Sequence, residues 1–304
     1  IDNFDNYYSV KFKFLKIKEL KKSKNFFFKK IDITNVVQLK NFFKNKKFDF
    51  IFHFAAQAGV RYSLINPKKY LKVNKHGFEN IVSNIKKNKN LKTFFYASSS
   101  SVYGSRKKFP SSEKIKLLPQ SIYAKTKVLN EKLANKLSKK TSFDMIGLRF
   151  FTVYGEWGRP DMAIYIFTKL ILENKKINVN NYGNMYRDFT YVADIANPII
   201  KLLDNIPKKN SKLKNLKTFE SSAPFRLFNI GNNNPIRLSN LVKIIEKILN
   251  KKGIKNFREM QKGDVFITKA NTERLKKIAG FKPNTSITLG VSRFVKWYKE
   301  YHKI

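Results

Sequence analysis

The residues with the clearest chemical use are tyrosine and lysine spaced Y-x-x-x-K, which a helix brings to one face, one turn apart. The ammonium favours the phenolate and draws a reference pKa of about 10 toward the working range of a general base. Spacing alone selects nothing here, because the chain holds 14 Tyr, and 53 of its 63 basic residues are Lys. Chance supplies about two such pairs. Four occur: Tyr7/Lys11, Tyr103/Lys107, Tyr123/Lys127 and Tyr165/Lys169. Context singles out Tyr123, which opens the amphipathic stretch SIYAKTKVLNEKLANKL and follows Ser98–Ser101 at the end of the apolar run KTFFYA. A serine there can hydrogen-bond a substrate oxygen while the phenolate takes its proton. By itself a serine run after a strand is a polar loop; strand, serines and helix together point to a site.

The elements that must position these groups alternate in type. Phe48–Ala55, Lys92–Ala97, Asp144–Phe151 and Arg226–Ile230 are rich in Phe and Ile, are closed by Ser, Gly or Asn, and predict buried strands. Thr34–Phe43, Tyr70–Asn84, Ser121–Ser138, Val192–Leu203, Leu238–Leu249 and Ile287–Tyr301 predict helices. Asp194 falls in the first turn of its helix, and Thr285 or Ser286 caps the last. This alternation predicts an α/β fold with a doubly wound parallel sheet, which places reactive groups at strand carboxyl ends. Regularity loosens after residue 152, and Asn205–Ala223 reads as a polar insertion or surface loop. No G-x-G-x-x-G occurs, and Ile1-Asp2-Asn3 resembles the tail of a strand already under way.

Composition narrows the chemistry. With no Cys and 3 His, a Cys-ligated zinc site, a disulfide scaffold and a thiolate nucleophile are excluded, and a multi-histidine metal site is disfavoured. No apolar run approaches the roughly 18 residues of a membrane span. A formal charge of +42 would suggest nucleic acid or an anionic membrane. The excess, however, is Lys spread along the chain, accompanied by Asn, Ile, Phe and Tyr, all residues with AT-rich codons. A biased genome accounts for that set, so nucleic acid and membrane are not expected partners.

The longer blocks resemble the extended short-chain dehydrogenase/reductase family, most closely its UDP-glucuronate 4-epimerase branch. They are HFAAQAGVRYSLINP (53–67), YASSSSVYG (96–104), SIYAKTK (121–127), GLRFFTVYGEWGRPDMA (147–163) and NYGNMYRDFTYVADI (181–195). SSAPFRLFNIGNNNP (221–235), MQKGDV (260–265) and GFKP (280–283) follow, so the resemblance runs nearly end to end. It implies Tyr123 as catalytic base, Lys127 holding the cofactor ribose and tuning Tyr123, and Ser99 as the catalytic hydroxyl. NAD is the implied cofactor. Asp2 would bind its adenosine ribose and disfavour a 2′-phosphate. Asp32 and Ile33 would flank the adenine, Phe54, Ala55 and Ala56 would line the phosphate side, and Asn74 and Phe150 would lie along the cofactor. Core packing also suits Phe54, Ala55, Ala56 and Phe150, and Asp32 also suits a helix cap. On the UDP-sugar side, Arg187 matches a diphosphate-binding arginine, and Gln261 and Asp264 match the nucleotide-ribose end. Arg61 and Arg159 would approach the diphosphate or the sugar carboxylate.

Within that family the residues after Ser99 separate reactions. The 4,6-dehydratases carry Asp-Glu there and decarboxylating UDP-xylose synthases a Glu, whereas this chain has Ser100 and Ser101. Together with Thr152, where UDP-galactose epimerases typically have Asn, these hydroxyls suit a C6 carboxylate. The expected activity is C4 epimerisation of a UDP-sugar, UDP-glucuronate to UDP-galacturonate, through a 4-keto intermediate. A neutral UDP-sugar 4-epimerase and a non-catalytic member of the same fold stand as alternatives. The implied layout is an NAD-binding domain over 1–152, with segments 188–204 and 226–233 returning to it, and a mainly UDP-sugar domain over 153–304. A homodimer in the cytoplasm is expected, without a metal. The family layout also implies a first strand and Gly-rich turn in roughly 25–30 residues before Ile1, without which NAD should be held poorly.

Overall fold

A computed structural model describes residues 1–86, 88–204, 225–261 and 263–304; the polar stretch expected at 205–223 lies outside them. The strands are β1 (Phe50–His53), β2 (Thr93–Ser99), β3 (Asp144–Phe150), β4 (Thr152–Tyr154), β5 (Lys176–Asn180), β6 (Tyr186–Tyr191), β7 (Phe225–Ile230), β8 (Pro235–Arg237) and β9 (Ile254–Arg258). The central sheet has the order β1-β2-β3-β7, all parallel.

Both faces of this sheet are covered, which is why its strands read as unbroken apolar runs. Phe94 and Tyr96 turn to one side, where Phe78, Ile81, Ile85 and Ala134 bring in helices Gly77–Ile85 and Ile122–Ser138. Phe95, Ile146 and Phe228 turn to the other, against Ile195 and Leu275 of helices Val192–Asp204 and Glu273–Ala279. The doubly wound parallel sheet predicted from the alternation is therefore the architecture. A second core of Tyr154, Ile164, Ile177, Leu241, Ile245 and Phe294 joins the small sheets β4-β6-β8 and β5-β9 to helices Ala163–Leu172, Leu238–Leu249 and Ile287–His302.

Several boundaries differ from expectation. β1 is shorter than Phe48–Ala55, because the residues after His53 leave the ladder and line cavities. The helix expected at Tyr70–Asn84 starts at Pro67, ends at Ile85 and contains a π turn at Leu71–His76. Of the segment 188–204, helix Val192–Asp204 packs on the central sheet while Asp188–Tyr191 lies in β6, paired with β4 and β8; β7 pairs with β3. Of the two suggested caps, Ser286 serves, accepting from Leu289 N at 3.2 Å. Asp194 lies in the first turn of its helix as expected, and it also accepts from Thr285 N at 2.8 Å, tying down the loop before the last helix. Among the described residues no helix is long and apolar enough to cross a membrane.

Candidate active site

β2 ends at Ser99, in register with Phe150 of β3, and turns at once into a single 3-10 turn over Ser100–Tyr103. Ser99 Oγ accepts from Ser101 N at 3.2 Å and lies 3.1 Å from Ser101 Oγ. The turn closes through Gly104 at φ +65°, where a Cβ would stand 1.9 Å from the Leu118 carbonyl oxygen, so only glycine fits. Opposite the serines, Ser121 caps helix Ile122–Ser138 by accepting from Ala124 N at 3.1 Å. That start sets Tyr123 and Lys127 one turn apart against β2. Tyr123 and Ser99 line the same cavity, and Lys127 Nζ donates to the Ala97 carbonyl at 2.8 Å.

The electrostatics correct the simple picture of an ammonium drawing the phenol down. Burial pushes Tyr123 above its usual value, with the Ser99 hydroxyl and Arg159 pulling against it. Lys127 is itself lowered to about 8, first by burial, with Glu131 opposing. Its Nζ is 5.8 Å from the Tyr123 ring centroid and gives its hydrogen bond to backbone. A poorly solvated pocket disfavours both charged forms, and this outweighs the pairing that spacing alone suggested. Beside it, buried His53 is lowered to about 3 by burial and then by the Lys127 charge, so it is neutral.

Beneath the serines lies a buried polar network. Arg149 of β3 donates side-on to Glu131 through Nε (2.8 Å) and Nη2 (2.7 Å), and its Nη1 donates to Tyr103 Oη at 3.0 Å. Glu131 also accepts from Ser98 Oγ at 2.5 Å. Tyr103 Oη donates to Asn229 of β7 at 2.5 Å, and Asn229 N donates to Glu113 at 2.8 Å. The residue next to the site serine, the helix carrying Tyr123 and two central strands are thereby locked to one another.

A cavity of about 550 Å³ opens above this floor, lined by Ser99, Ser100, Ser101, Tyr123, Lys127, Phe150, Thr152, Arg159, Arg187 and Asp264. A second, of about 340 Å³, is lined by Asp2, Ile33, Phe54, Ala55 and Ala56. Phe54, Ala56, Ala58 and Arg159 belong to both, so one elongated ligand could run along the carboxyl edge of the sheet. At its outer end the Asp2 carboxylate is fixed by accepting from Phe4 N at 2.7 Å. A carboxylate at the outer end, small side chains along the middle, and a lysine and tyrosine at the inner end fit a dinucleotide.

Not every predicted residue reaches these walls. Asp32 is turned onto Asn3 Nδ2 (3.0 Å) and Thr34 N (2.7 Å); against the upward push of burial, these hold its carboxyl below the usual range. The cap of the following helix is Asn35. Asn74, in the π turn, is buried and bonded to Gln57 N (2.7 Å), Gln57 O (3.0 Å) and Thr126 Oγ1 (3.3 Å). Arg61 donates to Asp264 at 3.0 Å and Gln261 accepts from Asp264 N at 3.1 Å, so both stand behind Asp264. Arg187 lies 3.8 Å from the same carboxylate, which leaves two guanidiniums sharing one negative charge. Burial lowers the Arg187 pKa, and Asp264 opposes that shift.

Sequence reasoning missed three groups at the site. Asp161 takes Arg159 Nε at 2.9 Å and Nη2 at 2.5 Å, and Tyr7 Oη donates to it at 2.9 Å. Glu156 lines the larger cavity with both carboxylate oxygens 2.8 Å from Tyr191 Oη. Asp161 stands two residues from a flagged arginine, the one signal that could have found it. Among the described residues no cluster of three or more His, Asp or Glu could hold a metal ion.

Comparison with known proteins agrees with this geometry. Residues 8–215 match the NAD dependent epimerase/dehydratase family. The chain is 43% identical to Protein CapI of Staphylococcus aureus, over 100% of this chain and 91% of that protein. It is 40% identical to UDP-glucuronate 4-epimerase 4 of Arabidopsis thaliana, over 99% of this chain and 69% of that protein. The crystal structure of UDP-glucuronic acid 4-epimerase from Bacillus cereus, in complex with UDP-glucuronic acid and NAD, superposes with a TM-score of 0.87. Identity there is 28%, covering 99% of this chain and 90% of that one. The chain carrying the Ser99–Tyr123–Lys127 cluster thus belongs to the NAD dependent epimerase/dehydratase family, and NAD is its cofactor.

Proposed function

We propose that this UDP-sugar 4-epimerase interconverts UDP-glucuronate and UDP-galacturonate. One observation carries the choice of uronate: Ser100, Ser101 and Thr152 line the cavity together with Ser99 and Tyr123, with no carboxylate directly after Ser99. Arg159, shared by both cavities, adds a cation on that side. Bound NAD would supply hydride exchange at C4, NAD+ accepting the hydride and NADH returning it; Asp2, Ala55, Ala56 and Lys127 would hold the cofactor.

The remaining work falls to this chain's residues. Tyr123, as phenolate, takes the 4-OH proton and returns it, while Ser99 keeps the oxygen in hydrogen-bond reach. Burial raises Tyr123 and Arg159 lowers it, so positive charge near the ring favours loss of its proton. A 4-keto uronate is a β-keto acid that sheds CO2. Three neutral hydroxyls can hold its carboxylate away from the orientation that cleavage requires. The Arg187–Asp264–Arg61 group, with its surplus positive charge, receives the diphosphate and ribose. Leu71 and Leu129, exposed on the two helical segments that flank Tyr70 and Tyr123, support a homodimer contact through these helices. The cytoplasm is the compartment we assign.

The test is to supply the full-length protein with NAD and UDP-glucuronate and to separate the nucleotide sugars by anion exchange. UDP-galacturonate is expected, with Thr152→Ala diverting product to a UDP-pentose. Turnover of UDP-glucose without turnover of UDP-glucuronate would overturn the assignment.

A further inference from the structure

We propose that Tyr7 and Asp161 form a positioning clasp that fixes which edge of the Arg159 guanidinium meets the substrate anion. The inference rests on the reading of Arg159 as an anion contact. A guanidinium can meet a carboxylate side-on, through Nε and one Nη, or end-on, through both Nη atoms. Asp161 occupies the side-on edge with bonds of 2.9 and 2.5 Å. The end-on edge is what Arg159 can then offer to a second carboxylate or a phosphate.

Asp161 Oδ2 accepts from both Arg159 Nη2 and Tyr7 Oη, the latter at 2.9 Å across 154 residues of sequence. Tyr7 is itself well anchored. Its N donates to Asp5 Oδ1 at 2.9 Å, Asp5 pairs with Lys69 at 2.8 Å, and its ring lies 5.1 Å from that of Tyr62. Its hydroxyl sits where a Cβ on Gly59 would come within 2.6 Å, so the glycine (φ +98°) admits it. Burial and then the Asp161 carboxylate push the phenol up to about 12, so it donates at any working pH.

The chain Asp5–Tyr7–Asp161–Arg159 runs from the segment walling the cofactor-side cavity to the cation shared with the sugar-side cavity. Without the Tyr7 hydroxyl, Asp161 can rotate and Arg159 samples both edges. Charge is unchanged and orientation is lost. This makes Tyr7 a positioning residue for uronate recognition.

The experiment titrates UDP and UDP-glucuronate into full-length holoenzyme, wild type and Tyr7→Phe, and measures kcat and KM. Tyr7→Phe should weaken UDP-glucuronate about five- to tenfold and raise KM by a similar factor. UDP affinity should change less than about twofold, and kcat less than KM. In an Arg159→Lys background Tyr7→Phe should have no further effect, since an ammonium has no edges to choose between. Equal weakening of UDP and UDP-glucuronate, or the same loss in the Lys background, would mark a merely structural role and overturn the clasp. Wild-type enzyme that binds the two ligands equally refutes the uronate reading and the clasp together. Discrimination that Tyr7→Phe leaves intact refutes the clasp alone.

Discussion

Replacing Glu131 by Gln preserves shape and most hydrogen-bond geometry but leaves the Arg149 charge without its counter-ion. The two side chains are 5% and 2% exposed, so water cannot compensate. Removing one partner of a buried pair costs about 3–5 kcal/mol. Tyr103 Oη and the Glu113 carbonyl still accept from Nη1, which argues for the lower end, about 3 kcal/mol. For a chain of this size that is a fall in Tm of about 6 °C. The double variant Glu131→Leu/Arg149→Met removes both charges. Apolar replacement of a buried pair is neutral to favourable by about 1–4 kcal/mol, offset by about 1 kcal/mol for each of the hydrogen bonds that Ser98, Tyr103 and Glu113 lose. Its stability should therefore lie close to wild type. The double variant should show the lower kcat, because Ser98, beside Ser99 at the end of β2, loses its buried acceptor, whereas Glu131→Gln keeps an oxygen for it. Urea unfolding followed by circular dichroism, with epimerase assays on the same samples, separates these effects. A cost below about 1 kcal/mol for Glu131→Gln, or a double variant less stable than Glu131→Gln, would refute the reasoning.

Two further outcomes follow from single residues. His53 is neutral in the fold with a pKa near 3, against 6.5 for the free side chain. Between those values the unfolded chain binds the extra proton, so stability falls as pH drops from 6.5 toward 3, at about 1.4 kcal/mol per pH unit. His53→Leu should flatten that slope in acid unfolding curves; an unchanged slope would mean that His53 charges within the fold. Gly104→Ala sets a Cβ against the Leu118 carbonyl and should lower kcat at least about a hundredfold by displacing the serine turn. Wild-type kcat would show that catalysis tolerates another loop.

The central strands were legible because burial on both faces leaves an unmistakable apolar run, as in TFFYASS. The Tyr123 helix was legible because Ser121 and the Y-x-x-x-K spacing mark its start. Helix Val10–Leu20 was not, for a physical reason: VKFKFLKIKEL alternates apolar and basic residues like a half-buried strand, and Phe12 is its one buried residue. β4, β6 and β8, of three to six residues each, are too short to show a period. At the site, the serines and Tyr123 could be named from local pattern. Which groups face one another could not, because Tyr7–Asp161 and Arg61–Asp264 pair across 154 and 203 residues. Asn74 shows the same limit, since only the fold reveals that its amide is used up on the Gln57 backbone.

The Arg149–Glu131 fork gives the biased composition a second meaning. Only 10 arginines stand among 63 basic residues. Among the described residues Arg61, Arg149, Arg159, Arg187 and Arg226 pair with carboxylates, Arg149 and Arg159 through two nitrogens each. An ammonium could supply the charge at any of these positions, but not the planar fork. At Arg149 and Arg159 a lysine would therefore keep the charge and lose the second directed bond, so these two positions tolerate the exchange least.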